Sequence, residues 1–197
     1  MMNNNMRSFF ITIRIILGCI QCWPHMVIYK SHSNRLVIEA DIRRWLMILK
    51  KNFKINIGII YLLSFHKEFR NLFYYRIGYW GRVLSIFCPG RSSLIIHTES
   101  IGEGLFIQHG FATAIGAKSI GKNCFINQQV TIGYSNEVDC PVILDNVRIN
   151  AGAIIFGKVT IGNNAVIGAN CTVFSDVPDN CTIIPPTPKK MQWHIKD

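Results

Sequence analysis

Histidine and cysteine are the residues of this 197-residue chain best able to do chemistry near neutral pH. Two of the six histidines, His97 and His109, lie between residues 94 and 178. Imidazole can accept a proton reversibly or bind a metal ion. Cys19 and Cys22 have CxxC spacing, but no second CxxC or nearby histidine pair completes four metal ligands. No serine or cysteine stands in a triad-like context, so a covalent nucleophile is not indicated.

Three helices are predicted before residue 93. Apolar residues recur every three to four positions from Arg35 to about Lys51, which indicates an amphipathic helix. A second helix is predicted from about Ile55 to Phe65 and a third from Lys67 to Phe87, where Cys88-Pro89-Gly90 ends it. The aromatic residues of the third helix are predicted to pack between helices rather than bind bases.

Branched aliphatic residues recur every sixth position after Arg91. A period of six fits neither a helix nor an alternating strand and predicts a solenoid of about four coils, in which stacked aliphatic side chains form one core. An earlier block has the same period, with one extra residue expected near Thr113–Ser119. Tyr134–Pro141 interrupts the repeat. The interruption is either a projecting loop that binds a ligand or a tolerated insertion. The clearest run comprises Ile143, Ile149, Ile155, Ile161, Ile167 and Val173.

Four segments resemble the hexapeptide-repeat acyltransferases, specifically the serine O-acetyltransferase group and its relatives in surface-polysaccharide gene clusters. The most specific is Ile101-Gly-Glu-Gly-Leu-Phe-Ile-Gln-His109-Gly; the others span residues 120–133, 140–147 and 161–178. Residues 69–76 also resemble the helical region of that group. The resemblance implies a mainly β fold: a left-handed parallel β-helix preceded by a small α-helical N-terminal region, assembled as a homotrimer.

The same resemblance implies acetyl-CoA as co-substrate, lying in a groove between subunits. His109 matches the general base that takes the proton of an acceptor hydroxyl during direct transfer. The residues matched to the CoA contacts are Gly133, Ala151, Gly152, Ala169, Asn170, Lys189 and Lys190.

Three departures from the family pattern concern the acceptor. Leu94 and Gln108 stand where serine acetyltransferases have aspartates, and Asp139-Cys140 replaces an Arg-His pair. Without the arginine, a serine carboxylate would be poorly paired. A sugar or glycan-precursor hydroxyl is therefore favoured over L-serine, although both stay open.

Several polar residues are candidates to complete the site around His109. Gln108, Glu137 and Asp139 are predicted to bind the acceptor. His97, Glu99, Glu137 or Asp139 could orient His109, including from a neighbouring chain, and the sequence does not choose among them.

Positive charge is concentrated in the first half of the chain. Residues 1–93 contain 14 Lys+Arg and 3 Asp+Glu, whereas residues 94–197 contain 7 and 8. The interpretations are solvated helix faces or peripheral contact with the inner membrane surface or a lipid-linked phosphate. No nucleic-acid-reading motif accompanies the charge.

The sequence predicts four segments. Residues 1–34 form an N-terminal extension, residues 35–93 a helical region, residues 94–183 the β-helix and residues 184–197 a C-terminal tail. The apolar run Phe9–Tyr29 contains Arg14 and Pro24, and it is predicted to be neither a membrane span nor a signal peptide. The seven cysteines are odd in number and lack the paired spacing of a disulfide scaffold, which favours a reducing, cytoplasmic location.

Two alternatives to the acetyltransferase are carried forward. A non-enzymatic solenoid that binds a partner is the first. A zinc carbonic anhydrase on the same fold is the second, but it needs three histidines where the repeats offer two, so no metal is expected.

Overall fold

The computed structural model describes residues 4–187, and these form six helices followed by fourteen short strands. The helices are α1 (Asn4–Gln21), α2 (Trp23–Ser31), α3 (Arg35–Ile48), α4 (Ile55–Phe65), α5 (Lys67–Ile77) and α6 (Tyr79–Phe87). The strands are β1 (Leu94–Ile96), β2 (Ser100–Ile101), β3 (Phe106–Ile107), β4 (Thr113–Ile115), β5 (Ser119–Ile120), β6 (Phe125–Ile126), β7 (Thr131–Gly133), β8 (Val142–Ile143), β9 (Arg148–Ile149), β10 (Ile154–Phe156), β11 (Thr160–Ile161), β12 (Val166–Ile167), β13 (Thr172–Val173) and β14 (Thr182–Ile183).

The helical predictions are confirmed in part. The helix from Ile55 to Phe65 is α4, and the amphipathic helix from Arg35 is α3, which ends at Ile48. The prediction of a single third helix is wrong. Gly78 adopts φ +57° and divides this segment into α5 and α6. A positive φ costs glycine little and interrupts the right-handed helix.

The strands form a parallel β-helix of about five turns. Successive strands visit three sheets in rotation, in the orders β1-β4-β7-β10-β13, β2-β5-β8-β11 and β3-β6-β9-β12-β14. Every pairing is parallel. The six aliphatic residues from Ile143 to Val173 are all buried, so the six-residue period marks the core as predicted. The predicted fold class is confirmed.

The chain turns three corners in each coil. The helix corner, where α3 and α5 contact the first coil, contains residues 102–105, 121–124, 144–147 and 162–165. The histidine corner contains residues 108–112, 127–130, 150–153 and 168–171, and the loop corner contains residues 97–99, 116–118, 134–141 and 157–159.

Three buried side chains clamp the helices to the first coil. Arg76 pairs with Asp41 at 2.8 Å, and Asp41 Oδ1 accepts a hydrogen bond from the Gly104 N–H at 2.7 Å. Trp45 Nε1 donates to the Leu105 carbonyl at 2.8 Å. The helix corner of the coil that leads to His109 is therefore held by α3 and α5.

Candidate functional site

His109 lies on a tight turn after β3. Its φ of +56° is in the left-handed region, which is uncommon outside glycine, and its carbonyl accepts a hydrogen bond from the Phe111 N–H. The next residue, Gly110, is buried: a Cβ there would lie 3.0 Å from Leu94 Cδ2 and 3.1 Å from Glu68 Cγ. The turn is packed down on its inner side, while the His109 side chain is exposed.

The corner that carries His109 is wider than its counterparts. Eight positions separate the core residues Ile107 and Ile115, whereas six separate Ile126 from Ile132 in the next coil. The expectation of one extra residue near Thr113–Ser119 is wrong, because the extra residues lie before β4 and the interval from β4 to β5 is short instead.

The four residues matched to the pantetheine arm lie on the same histidine corner, one coil apart. The Asn170 N–H donates to the Ala151 carbonyl at 2.9 Å. Gly152 has φ +72°, and a Cβ on it would lie 2.1 Å from Asn170 Oδ1. Ala151-Gly152 and Ala169-Asn170 are therefore stacked on successive coils, along the axis from His109.

The interruption of the repeat is a loop that closes on itself. Asn136 Oδ1 accepts hydrogen bonds from the Val138 and Asp139 N–H groups, and Asn136 Nδ2 donates to Asp139 Oδ2 at 2.7 Å. Glu137 is exposed at its tip. A hydrogen bond to Cys140 raises the pKa of Tyr134, where the loop begins.

One chain does not bring all the predicted acceptor residues to His109. Glu137 and Asp139 lie on the loop corner, as do the exposed side chains of His97 and Glu99. The histidine corner and the loop corner are separated by the sheet that contains β1 and β4.

The other predicted site residues divide in the same way. Gln108 is half-buried beside His109, and its N–H donates to the Ile126 carbonyl at 2.8 Å. Gly133 ends β7 at the start of the loop corner, where a Cβ would meet no atom within 4 Å. Lys189 and Lys190 lie outside the described residues.

Glu68 is a site-adjacent residue that sequence reasoning missed. It is buried, its Oε1 accepts a hydrogen bond from Arg91 Nε at 2.6 Å, and its Cγ lies beside Gly110. The contact joins α5 to a turn 42 positions later, which no local pattern reveals. The sequence feature that could have drawn attention to Glu68 is the rarity of acidic residues in this half: Glu68 is one of three among the first 93 residues.

Metal-binding potential is limited in the described part of the chain. Among residues 4–187, no three His, Cys, Asp or Glu side chains are grouped so that they could hold a metal ion.

Comparison with known proteins gives matches in both sequence and structure. Residues 140–175 match the family described as bacterial transferase hexapeptide (six repeats). Serine acetyltransferase of Synechococcus elongatus is 32% identical over 75% of this chain and 64% of its own length. That of Escherichia coli strain K12 is 32% identical over 66% of this chain and 51% of its own. The chain thus spans about half to two thirds of these relatives.

Two solved structures have the same architecture. Serine acetyltransferase of Neisseria gonorrhoeae in complex with serine has 25% identity and a TM-score of 0.62, and covers 84% of this chain and 72% of its own. Isoform 3 of Entamoeba histolytica in complex with cysteine has 26% identity and a TM-score of 0.58, and covers 82% and 62%.

Sequence and fold indicate the same class of protein. Residues 140–175 match the hexapeptide-repeat family model, and the chain folds as a left-handed parallel β-helix like that of the serine acetyltransferase structures. Within that class it is serine acetyltransferase-like in both sequence and structure.

Proposed function

We propose that this protein is an acetyl-CoA-dependent O-acetyltransferase that moves the acetyl group directly to an acceptor hydroxyl. The observation that carries the proposal is the histidine corner, where exposed His109 stands in line with the stacked Ala151-Gly152 and Ala169-Asn170. A pantetheine arm needs a narrow path along the solenoid axis, and the small side chains of Ala151, Gly152 and Ala169 leave room for one on two successive coils. The serine acetyltransferase relatives support the same reaction class.

In this mechanism His109 is the general base. Its imidazole takes the proton from the acceptor hydroxyl as the oxygen attacks the thioester carbon, because a neutral hydroxyl is a poor nucleophile. The tetrahedral oxyanion is stabilised by backbone N–H groups of the coil. When it collapses, the carbon–sulfur bond breaks, the acceptor keeps the acetyl group, and the imidazolium returns its proton to the CoA thiolate.

The proposed assembly is a homotrimer, with the site between two chains. Gln108 lies beside His109 in one chain, whereas Glu137, Asp139 and Gly133 lie at the loop corner and would reach it from the neighbour. Lys189 and Lys190 are assigned to the CoA phosphates. Light scattering should give three times the 22.4 kDa of one chain; a monomer with full activity would contradict the shared site.

Release of free CoA thiol from acetyl-CoA tests the activity. The acceptor panel contains L-serine, free sugars, sugar phosphates and oligosaccharides, since a glycan precursor and serine are both proposed acceptors. His109→Ala should reduce turnover by at least about a hundredfold, the usual contribution of a general base. His32→Ala, in the helical half, is the matched control and should keep normal turnover.

Unchanged turnover in His109→Ala would reject His109 as the general base. Failure of acetyl-CoA to raise the thermal unfolding temperature of the wild-type protein would replace the proposal by a non-enzymatic binding role, because a ligand that binds the folded state must stabilise it.

Peripheral contact with an anionic membrane is proposed alongside the reaction, for an enzyme in the cytoplasm. The supporting surface is an exposed apolar row on α1, comprising Phe9, Ile13, Ile16 and Ile20, which continues on α2 with Trp23 and Val27. Among the described residues, no single helix is long and apolar enough to span a membrane. The helices Phe9–Gln21 and Trp23–Ser31, bent by 67° at the break between them, reach that length and hydropathy only when taken together. An apolar row on a basic half is suited to the interface of anionic lipid.

A further inference from the structure

A cavity of about 730 Å³ opens between α5, α6 and the beginning of β1. Asn71, Tyr74 and Tyr75 line it from α5, Tyr79 and Arg82 from α6, and Arg91 from the segment before β1. Gly78, with φ +57°, forms the α5–α6 connection and also lines the cavity. The prediction that the aromatic residues of this region serve helix packing is therefore incomplete: Phe69 and Phe73 are buried, while Tyr79 is exposed at the cavity.

The cavity adjoins the turn that carries His109. Arg91 lines the cavity and donates to the Glu68 carboxylate, and the Cγ of the same Glu68 lies beside Gly110. One glutamate side chain thus spans the distance between a cavity wall and the residue that follows His109. Asn71, one helical turn after Glu68 on α5, fixes the same wall by donating to the Arg91 and Leu94 carbonyls at 3.1 and 3.2 Å.

The lining has a marked charge. Two arginines and no acidic residue line the cavity among residues 4–187. Arg82 is exposed and makes no ion pair or side-chain hydrogen bond with the described part of the chain, whereas Arg91 has only its Nε engaged by Glu68. A guanidinium with free N–H groups binds phosphate or carboxylate in bidentate fashion. The unpaired positive charge therefore suits an anionic ligand.

The aromatic walls and the size indicate a ligand larger than an amino acid. Pockets of roughly 300–1,000 Å³ bury ligands of drug-like size in an apolar lining with few polar groups. Burial raises the pKa of the Tyr74 and Tyr75 hydroxyls, so both stay neutral, and Tyr74 donates to the Cys88 carbonyl. Neutral phenol rings can cover the face of a sugar ring without repelling an anionic group.

We propose that this cavity binds the acceptor, and that the acceptor is a sugar bearing a phosphate or carboxylate, held by Arg82 and Arg91 beside the turn that carries His109. The inference rests on the proposed function for its catalytic meaning. It selects the glycan precursor over L-serine, because a serine would leave most of the cavity unfilled.

Binding tests the cavity without relying on turnover. Glucose 1-phosphate and galacturonate serve as anionic probes and glucose as the neutral one, each measured by the shift it causes in the thermal unfolding temperature. At least one anionic probe should stabilise the wild-type protein more than glucose does. Arg82→Gln should weaken that binding at least about tenfold, the loss expected for one charge-assisted hydrogen bond.

Arg43→Gln is the matched control, since Arg43 is exposed on α3 outside the cavity. It should bind the probe as the wild type does. An equal effect of both variants, or no stabilisation by either anionic probe, would overturn the inference. Retained anion binding that depends on Arg82, in a protein that transfers no acetyl group, would leave the cavity in place and reject the proposed function instead.

Acceptor kinetics give a second readout. Arg82→Gln should raise the KM for an anionic sugar at least about tenfold and leave the KM for acetyl-CoA unchanged. L-serine acetylated with the same KM by both the wild type and Arg82→Gln would contradict the acceptor assignment.

Discussion

At the scale of single residues, positive φ angles mark where the coil turns. Asn123, Asn146 and Asn164 occupy the left-handed region at the helix corner, as asparagine tolerates it better than most other non-glycine residues. His109 occupies the same region, in which histidine is also enriched, and so do Ala112 and Gln129 on the histidine corner. The positive φ of His109 therefore belongs to the geometry of this turn.

Gly152→Ala is expected to weaken both the fold and acetyl-CoA binding. A methyl group there would lie 2.1 Å from Asn170 Oδ1 on a residue with φ +72°. We expect a loss of about 1–3 kcal/mol in unfolding free energy, typical of such backbone strain, and a higher KM for acetyl-CoA. Denaturant unfolding and thiol-release kinetics measure the two effects.

Gly133→Ala is the matched substitution for that experiment. A Cβ at Gly133 meets nothing within 4 Å, and its φ is not positive. Its unfolding free energy should stay within about 0.5 kcal/mol of the wild type. Equal destabilisation by the two glycine substitutions would show that the stack at Gly152 is not tight.

At the scale of elements, the Asp41–Arg76 pair is predicted to be the main electrostatic link between helices and coils. Both side chains are buried, and Arg76 also donates to the Gly102 carbonyl at 2.7 Å. Arg76→Leu should destabilise the protein by about 3–5 kcal/mol, because it leaves the Asp41 carboxylate buried and unpaired. Urea unfolding measures the loss.

The exposed pair Arg35–Glu39 on α3 provides the comparison. Arg35 is half exposed, and the pair links neighbouring turns of one helix. Arg35→Leu should cost less than about 1 kcal/mol, as exposed pairs usually do. If Arg76→Leu cost no more than this, the clamp would not hold the first coil.

His25 on α2 is expected to make the packing of α2 sensitive to acid. Tyr74 donates its one proton to the Cys88 carbonyl at 2.5 Å, so the 3.0 Å contact requires His25 Nε2 to donate to Tyr74. His25 Nδ1 is then the site of protonation, and it is buried without a partner among the described residues. Burial, reinforced by Arg70, lowers the pKa of His25 to about 4.

The sign of the pH effect follows from that depressed pKa. The unfolded chain takes up the proton near pH 6.5, whereas the folded protein does so only near pH 4. The contribution of His25 is therefore fully present above pH 6.5 and is lost as the pH falls towards 4, by roughly 2–3 kcal/mol. His25→Gln keeps a donor for Tyr74 and does not titrate.

Urea unfolding at pH 7 and pH 4.5 measures the difference. The wild-type protein should lose more stability than His25→Gln between these values. His32→Gln, at the other end of α2, should behave as the wild type does. An identical pH dependence in the wild type and His25→Gln would show that His25 does not remain neutral in the folded state.

The sequence predicted the elements whose signals are local and periodic. Six-residue spacing identified the core from Ile143 to Val173, because each of these side chains occupies an equivalent place in a repeat. The division at Gly78 depends on one backbone angle within an otherwise helix-forming stretch. The contact of Glu68 with Gly110, and the cavity beside it, arise only when α5 packs on the first coil. Sequence spacing carries no information on that packing.

At the scale of the whole molecule, the apolar row on α1 and α2 predicts binding to anionic vesicles. Ile16 and Ile20 are mostly exposed on this row. The double variant Ile16→Asp/Ile20→Asp should bind phosphatidylglycerol vesicles at least about tenfold more weakly, because it removes buried apolar area and adds negative charge. Vesicle flotation measures binding, and raised salt should weaken it in the wild type.

Leu36→Asp controls for a charge introduced elsewhere on the helical half. Leu36 is largely exposed on α3 and is not part of the row. Its vesicle binding should match that of the wild type. Binding to neutral phosphatidylcholine vesicles as strong as to phosphatidylglycerol, or an unchanged double variant, would contradict the proposed surface.

The placement of the helices also limits how copies of the chain can grow into larger structures. A solenoid with two bare ends offers unpaired strand edges, and head-to-tail pairing of such edges produces open-ended fibres. Here α3 contacts β3, α5 contacts β1 and β3, and Arg76 donates to the Ile101 carbonyl at the first coil. One end of every solenoid is thereby plugged, so a polymer cannot elongate through that end. The flanks of the coil are not covered in this way, and the proposed trimer would form through them.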